Sequence, residues 1–172
     1  MKEVVWVFGV SASGKETFIR KVIDERPSDL LDQFSWNGKK IAASQVSIDV
    51  IGSYGNDDTK EKRKELEKEV VGLVRQNDVV LIKGQYIDYK AQRQVKLKTL
   101  LPDCKHKIVV IRVQTHDLPE RLTSKPWWDK SEDPMKWTKG EQELVADLLK
   151  DLSQDFQVIT INGNKDSHYE II

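Results

Sequence analysis

The amino-acid sequence predicts an α/β fold in which a five-stranded parallel sheet lies between two layers of helices. Five short runs rich in β-branched residues alternate along the 172-residue chain with segments whose apolar residues recur at helical spacing. Three of the runs are continuously apolar, as is typical of strands that are covered on both faces. Strands that alternate with helices favour parallel pairing, so these observations together predict a three-layer sandwich.

The individual elements follow from these patterns. The predicted strands are short runs rich in apolar residues, and they comprise residues 4–8, 41–48, 79–82, 108–113 and 158–161. The predicted helices comprise residues 16–25, 59–75, 89–101, 117–125 and 141–152. Residues 28–40 contain the turn signal Asn37-Gly38, and we expect a small hairpin or a loop there. Residues 126–139 combine two prolines, mixed charges and three tryptophans, and we expect them to form a short mobile lid.

The composition limits the classes of function. Lys plus Arg and Asp plus Glu number 28 each, so the net charge is zero, which argues against tight binding to nucleic acid or to a membrane surface. The single cysteine, Cys104, excludes an internal disulfide framework and a cysteine-based metal site. No apolar run reaches about 18 residues. We therefore expect one cytoplasmic domain over residues 1–172, whose oligomeric state the sequence leaves open.

Residues 7–17, VFGVSASGKET, contain a candidate phosphate-binding loop. Gly9, Gly14 and Lys15 have the spacing G-x-x-x-x-G-K, but Glu16 follows the lysine and the hydroxyl of Thr17 comes one place later. Backbone N–H groups in such a loop can curl around an anion, and the lysine can reach terminal phosphates. The alternative is a glycine–serine turn. Because a predicted strand precedes the loop and a predicted helix follows it, we favour a nucleotide-binding loop made of Gly9, Ser11, Ala12, Ser13, Gly14, Lys15, Glu16 and Thr17.

Two segments resemble adenylate kinase and related nucleotide kinases. In that family the loop reads G-x-x-x-x-G-K-G-T, and GVSASGKET is similar, with Glu16 in place of the last glycine. PERLTSK, residues 119–125, resembles the segment that leads into the lid of these enzymes. The resemblance implies a P-loop NTPase-type fold with ATP and Mg²⁺ as cofactors. It also implies that Thr17 binds a phosphate oxygen, that Arg121 lies against the base or ribose, and that Lys125 contacts the transferring phosphates. A solvated basic pair is the alternative for Arg121 and Lys125.

The last strand is followed by NGNKDS, residues 162–167, which resembles the loop that carries the adenine in this superfamily. This similarity implies that backbone groups of Gly163, Asn164 and Lys165 contact the base.

The chain departs from the family pattern at the end of the third strand. An acidic residue is expected there to help hold the metal, but the sequence has Lys83. Asp49 follows the second strand and should emerge at the same edge of the sheet, so it is our candidate metal ligand, with Thr17, and our candidate general base. The candidate catalytic residues are thus Lys15, Asp49 and Lys125. The candidate acceptor contacts lie just after the third strand and are Gly84, Gln85, Tyr86 and Arg93.

These observations predict a kinase that transfers the ATP γ-phosphoryl group to a small-molecule acceptor, which is a nucleotide, a nucleoside or another metabolite. Lys83 at the metal edge supports an alternative, a nucleotide-binding module or regulator with little turnover. A kinase for nucleic-acid ends is a third hypothesis, and the balanced charge argues against it.

Overall fold

Five parallel strands form one sheet in the described part of the chain, in the spatial order β2-β3-β1-β4-β5. The computed structural model describes residues 1–46, 60–84, 92–164 and 169–172. The strands are β1 Glu3–Phe8, β2 Ile41–Ala43, β3 Val79–Lys83, β4 Lys105–Arg112 and β5 Gln157–Asn162. The predicted α/β class and the parallel sheet are confirmed.

The helices connect these strands. Helix α1, Lys15–Arg20, continues directly into a π-helical turn, Lys21–Glu25. The others are α2 Ser28–Gln33, α3 Lys60–Gln76, α4 Gln92–Leu100, α5 Leu118–Thr123 and α6 Pro134–Leu152, with a 3₁₀ turn, Thr115–Asp117, before α5. None of the helices in the described residues combines the length and the hydrophobicity that crossing a membrane requires.

The central strand β1 shows why both faces of the sheet must be covered. Trp6 and Phe8 pack on one face in a cluster with residues of α3 and α6, whereas Val5 and Val7 pack on the other face with residues of α1 and α2. All four side chains are completely buried. A strand that is apolar on both sides cannot leave either face in water, and the sequence of β1 therefore requires helices on both faces.

The strand order places a crevice at the carboxyl end of β1. From β1 the chain passes to β2 and β3 on one side of it and later crosses to β4 and β5 on the other side. Ligands of open α/β sheets bind where the strand order reverses in this way. The loop that begins at Gly9 leaves β1 at this point.

Strand β2 is shorter than predicted. It ends at Ala43 because the next residues turn their polar groups to a carboxylate on α3. The Ser44 hydroxyl and the Gln45 N–H both donate to Glu69 Oε1, the second at 2.7 Å. The prediction of a strand through residue 48 was wrong for residues 44–46, and residues 47 and 48 lie outside the described part.

Helix α6 begins seven residues earlier than predicted, within the stretch assigned to the lid. Asp133 Oδ1 accepts hydrogen bonds from Met135 N at 2.9 Å and from Lys136 N at 3.3 Å, and Pro134 occupies the first turn. An acidic N-cap followed by proline is a strong helix start. The second half of the predicted lid, residues 134–139 of 126–139, therefore lies in α6, and the lid itself stays a prediction. The irregular segment between α5 and α6 is residues 124–133, called here the α5–α6 connection.

Residues 28–40 form a helix and a turn. Helix α2 is followed by tight turns that include Gly38, whose φ is 79°, and Lys39 N donates to Trp36 O at 3.1 Å. The turn at Asn37-Gly38 is confirmed, and the stretch contains no hairpin.

Candidate functional site

The loop of residues 9–17 folds back tightly over the end of β1. A Cβ atom at Gly9 would lie 2.3 Å from Ser13 Oγ, and Gly14 has a φ of 96°, so both positions require glycine. Ala12 also has a positive φ, 66°, which is unusual for a residue with a side chain. Such strained conformations persist at sites where the surrounding structure enforces them, commonly binding sites. The loop therefore has the close-packed backbone that the sequence motif predicts.

Lys15 places a positive charge within this loop. Its side chain is only 7% exposed, and Nζ donates to the carbonyl oxygen of Gly9 at 2.8 Å, across the loop. The neighbouring hydroxyl of Ser13 is buried and has no hydrogen-bond partner in the described chain. A buried lysine beside compact backbone is suited to bind an anion, because its charge is not needed by the apolar core.

Three stretches that are distant in the sequence meet at one cavity of about 570 Å³. Gly14 and Thr17 line it from the loop, Arg121 from α5, and Gly163 and Asn164 from the end of β5. Arg20, Lys21, Asp24, Glu25 and Tyr169 complete the lining. This volume lies within the range of small-molecule sites, about 300–1,000 Å³. The structure thus brings together the phosphate loop and the residues that the sequence assigned to the base and ribose.

The turn after β5 packs directly on the phosphate loop. Gly163 N donates to Arg112 O at 2.7 Å, and Arg121 Nη2 lies 3.4 Å from Gly163 O. A Cβ atom at Gly163 would lie 2.5 Å from a methyl carbon of Ile111 and 3.1 Å from Ser13 O. Asn164 is fixed by its side-chain oxygen, which accepts from Gln114 N at 3.0 Å. The position of the turn is therefore set by both backbone and side-chain contacts.

Tyr169 borders the same cavity, and sequence reasoning missed it. Its hydroxyl lies 3.5 Å from the position that a Cβ atom would take at Gly14, and its ring contacts Phe18 edge-on at a centroid distance of 5.4 Å. Burial raises the pKa of the Tyr169 hydroxyl above its ordinary value, so the group is a neutral donor at physiological pH. The terminal residues bring it there by pairing with β5, since Asn162 N donates to Glu170 O at 2.8 Å. No local motif signals this contact.

Glu16 and Lys83 face a second cavity, on the other side of α1. This cavity of about 290 Å³ lies at the carboxyl ends of β2 and β3 and is also lined by Arg20, Ser44 and Gln45. Lys83 Nζ is 3.8 Å from Glu16 Oε2, and the Glu16 side chain is 81% exposed. Glu16 and Thr17, although adjacent in sequence, therefore border different cavities.

The described residues offer few ligands for a magnesium ion. Within them, no group of three or more His, Cys, Asp or Glu side chains is arranged to hold a metal. Near the phosphate loop they supply the Thr17 hydroxyl and two carboxylates. Glu16 already has the Lys83 ammonium beside it, and Glu141 already accepts from Ser11 and Trp137. Magnesium is commonly bound through one or two carboxylates and phosphate oxygens. Asp49, the predicted ligand, lies outside the described residues.

Helix α6 contributes a carboxylate to the phosphate loop that the sequence did not indicate. Glu141 is 3% exposed, and it accepts from Ser11 N at 2.5 Å and from Ser11 Oγ at 2.7 Å. The indole N–H of Trp137, one turn earlier, donates to the same carboxylate. The i, i+4 spacing of these two residues was a usable signal, but only with α6 beginning before residue 137.

The other predicted site residues have simpler positions. Lys125 is exposed just after α5. Gly84 follows β3 with a φ of 116°. Arg93 lies in α4, but its side chain is outside the described part of the structure, as are Gln85, Tyr86 and Lys165.

No protein-family model matches the chain, and no curated protein matches it. The chain is similar to a solved structure of the PezAT chromosomal toxin-antitoxin system of Streptococcus pneumoniae, with a TM-score of 0.51 and 14% identity over 100% of this chain and 71% of the other. Similarity also extends to a gluconokinase from Sinorhizobium meliloti 1021, with a TM-score of 0.48 and 14% identity over 95% and 83% of the two chains. A shikimate kinase from Bacteroides thetaiotaomicron gives a TM-score of 0.43 and 13% identity over 96% and 92%.

These identities establish a likeness of fold alone. The sheet order agrees with that likeness, so the chain has an α/β fold with a five-stranded parallel sheet flanked by helices.

Proposed function

We propose that this protein is an ATP-dependent small-molecule kinase. The single observation that carries the proposal is the cavity of about 570 Å³ where the phosphate loop meets Arg121 and the turn at Gly163 and Asn164. Phosphate contacts and nucleoside contacts were assigned from separate parts of the sequence, and their convergence in one cavity is difficult to obtain by coincidence. The use of ATP is consistent with the cytoplasmic location that we expect.

In this proposal the triphosphate lies on the loop and the nucleoside lies toward Arg121. Backbone N–H groups between Gly9 and Thr17 hold the phosphates, and Lys15 exchanges its contact with the Gly9 carbonyl for the terminal phosphates. The Thr17 hydroxyl binds a phosphate oxygen. Gly163 and Asn164, with Lys165 beyond the described residues, contact the base through their backbone.

The reaction needs positioning and charge neutralisation more than covalent chemistry from the protein. The acceptor hydroxyl oxygen forms a bond to the γ-phosphorus, the bond from that phosphorus to the β,γ-bridging oxygen breaks, and ADP leaves. The acceptor proton passes to a base, for which Asp49 remains our candidate. Lys15 and Lys125 are proposed to offset the charge on the transferring group.

Magnesium supplies charge neutralisation on the β- and γ-phosphates when it is bound with ATP. We propose Thr17 and Asp49 as its protein ligands. Glu16 is the described carboxylate nearest the loop's lysine in sequence, but Lys83 lies beside it, so the described residues alone do not make a strong magnesium site.

The second cavity, of about 290 Å³, is the proposed acceptor site. It lies at the carboxyl ends of β2 and β3, where the crevice of an open α/β sheet receives ligands. Gly84, Gln85, Tyr86 and Arg93 follow β3 and are the proposed acceptor contacts. The lining mixes charged and polar groups with isoleucines, which suits a nucleotide, a nucleoside or another polar metabolite.

A specific observation favours a second candidate function, a nucleotide-binding module or regulator with little turnover. Lys83 and Glu16 form an ion pair at the edge where a metal-holding acid would be expected. Incubation with labelled ATP and a pool of metabolites separates the two functions. A kinase transfers label to an acceptor, whereas a regulator binds ATP and leaves every acceptor unlabelled.

The variant Lys15→Ala tests nucleotide binding directly. We expect its affinity for ATP to fall at least tenfold, about 1.4 kcal/mol, because the buried ammonium is the described cation closest to the loop backbone. Lys105→Ala is the control, since Lys105 is exposed at the opposite, amino end of β4. Calorimetric titration with ATP measures both variants, and thermal melts check the fold. Wild-type affinity in a folded Lys15→Ala protein contradicts the proposal.

A further inference from the structure

We propose that Glu141 is a positioning residue for the phosphate loop, and that it couples occupation of the loop to the tryptophans that follow α5. The nucleotide part of this inference rests on the proposed function. The contact between α6 and the loop does not.

The Glu141 carboxylate accepts hydrogen bonds from both the backbone N–H and the hydroxyl of one loop residue, Ser11, and this pair of bonds is called here the clamp. Its Oε2 accepts from Ser11 N at 2.5 Å, and its Oε1 accepts from Ser11 Oγ at 2.7 Å. Ser11 lies between Gly9 and the strained Ala12, so this clamp acts at the part of the loop whose conformation is least favoured on its own. Because Glu141 is only 3% exposed, water cannot easily replace a hydrogen-bond partner that a substitution removes.

The same carboxylate connects the loop to the α5–α6 connection through two further contacts. Trp137 donates its indole N–H to Glu141 Oε1. The Trp137 ring packs edge-on against Trp128 at a centroid distance of 5.5 Å, and Trp128 N donates to Lys125 O at 3.1 Å. Three successive side-chain contacts, Ser11–Glu141, Glu141–Trp137 and Trp137–Trp128, thus link the loop to the segment that carries Lys125.

Binding of a phosphate should disturb this linkage. The described partners of Glu141 are neutral donors, so its negative charge is directed at a loop that is proposed to bind another negative charge. Electrostatic repulsion between the bound phosphate and the Glu141 carboxylate should displace Glu141 and, with it, its partner Trp137. Trp137 has room to respond, because Trp137 and Glu141 line a cavity of about 270 Å³ on the outer side of α6.

The experiment is indole ¹⁵N NMR on the full chain, which contains five tryptophans. The probes are a non-hydrolysable ATP analogue and adenosine, which lacks phosphate. We expect the analogue to shift the Trp137 signal, adenosine to leave it unchanged, and the buried Trp6 and Trp36 to serve as internal references. An analogue that binds normally and leaves the Trp137 signal in place overturns the coupling.

Glu141→Gln tests the clamp, and Glu143→Gln, an exposed position two residues on, is the matched control. Glu141→Gln should raise the affinity for the analogue about tenfold, because it removes the charge that repels the phosphate while its amide oxygen can still accept from Ser11. It should leave the affinity for adenosine unchanged and abolish the response of Trp137. A purely structural role would weaken both ligands equally. Glu141→Asp keeps the charge and should restore part of the response. Wild-type affinity for the analogue in Glu141→Gln, with Trp137 still responding, overturns the inference.

NMR spectra of the unliganded proteins distinguish a failure of this inference from a failure of the proposed function. If no variant and not even the wild type binds the analogue, the proposed function fails. The clamp is then still tested, because Glu141→Gln must shift the Ser11 amide and Trp137 indole signals while Glu143→Gln shifts neither. Unchanged signals in Glu141→Gln overturn the clamp. If Glu141→Gln does not fold, Ser11→Ala removes one hydrogen bond to the same carboxylate, and it must shift the Trp137 signal.

Discussion

Two buried glutamates lie near opposite ends of the central strand β1, and each accepts a hydrogen bond from a tryptophan. Glu3, at the amino end of β1, is 4% exposed, and Glu141, beside the carboxyl end of β1, is 3% exposed. Each accepts a hydrogen bond from an indole, Glu3 from Trp36 at 2.5 Å and Glu141 from Trp137. They differ in the partners other than the indole. Glu3 forms an ion pair with Lys107, whereas the described partners of Glu141 are neutral.

This difference assigns one glutamate to the scaffold and the other to the site. The Glu3–Lys107 pair joins the central strand β1 to β4, and its charges offset each other. Glu141 retains a charge that no described cation offsets, and it holds a loop that is proposed to receive an anion. A buried glutamate therefore stabilises the fold where its partner is a cation, as at Glu3. Where its partners are neutral, as at Glu141, it is proposed to respond to a bound phosphate.

The largest effect that would test the comparison is the loss of stability in Glu3→Gln. Lys107 is 13% exposed at its side chain, and removing its partner leaves a nearly buried charge uncompensated, at a cost of about 3–5 kcal/mol. Glu141→Gln leaves no buried cation behind and should cost less, about 1–3 kcal/mol. Urea denaturation measures both variants. Equal losses would mean that the two glutamates do not differ in the way their partners suggest.

Two glycine substitutions, one beside the phosphate loop and one on α6, compare the candidate site with the scaffold and have a smaller expected effect. Gly163→Ala should destabilise the protein by about 1–3 kcal/mol and weaken ATP binding, because its Cβ would overlap Ile111 and press on the Ser13 carbonyl. Gly140→Ala is the control on α6, where a Cβ would meet nothing within 4 Å, and it should stabilise the protein by about 0.5–1 kcal/mol. Thermal melts and ATP titration measure both. A neutral Gly163→Ala would show that the turn at residue 163 can move away from the loop.

His106, at the amino edge, gives the smallest effect and a defined pH dependence. Burial lowers its pKa below the ordinary value, although its hydrogen bond to the Leu101 carbonyl, at 2.8 Å, opposes this. The unfolded chain therefore takes up a proton first as the pH falls below about 6.5, so stability decreases from there down to the lowered pKa. Stability above that range is independent of this group.

Denaturation between pH 5 and 8 measures this dependence, and His106→Gln should remove it. His116→Gln is the control, because His116 is exposed and lies near the other edge of the sheet. An unchanged slope in His106→Gln would place the titrating group elsewhere.

The sequence was most informative where local physics determines the structure. The apolar strands and the glycine-rich loop follow from periodicity and backbone freedom. Arg121 and Asn164 came instead from the resemblance of two short segments to nucleotide kinases, and their roles stay predictions. The sequence was least informative where a contact depends on distant parts of the chain. Tyr169 reaches the cavity only because the terminal residues pair with β5. Strand β2 does not continue through residues 45 and 46, whose N–H groups donate to Glu69 on α3.

Glu141 lies between these two cases. The Asp133-Pro134 start of α6 is a local signal, and recognising it would have placed Trp137 and Glu141 one turn apart on a single helix. The contact of Glu141 with Ser11 could not be predicted in the same way, because it depends on how α6 packs against the loop.

Helix α1 separates the two cavities and makes their chemistry partly independent. Glu16 borders the smaller cavity and Thr17 the larger one, although a single peptide bond joins them. A substitution at residue 16 can therefore change the lining of the smaller cavity while the lining of the larger one stays the same. Arg20, one turn further on, borders both cavities, as does Asp24, so a substitution at either residue alters both linings together.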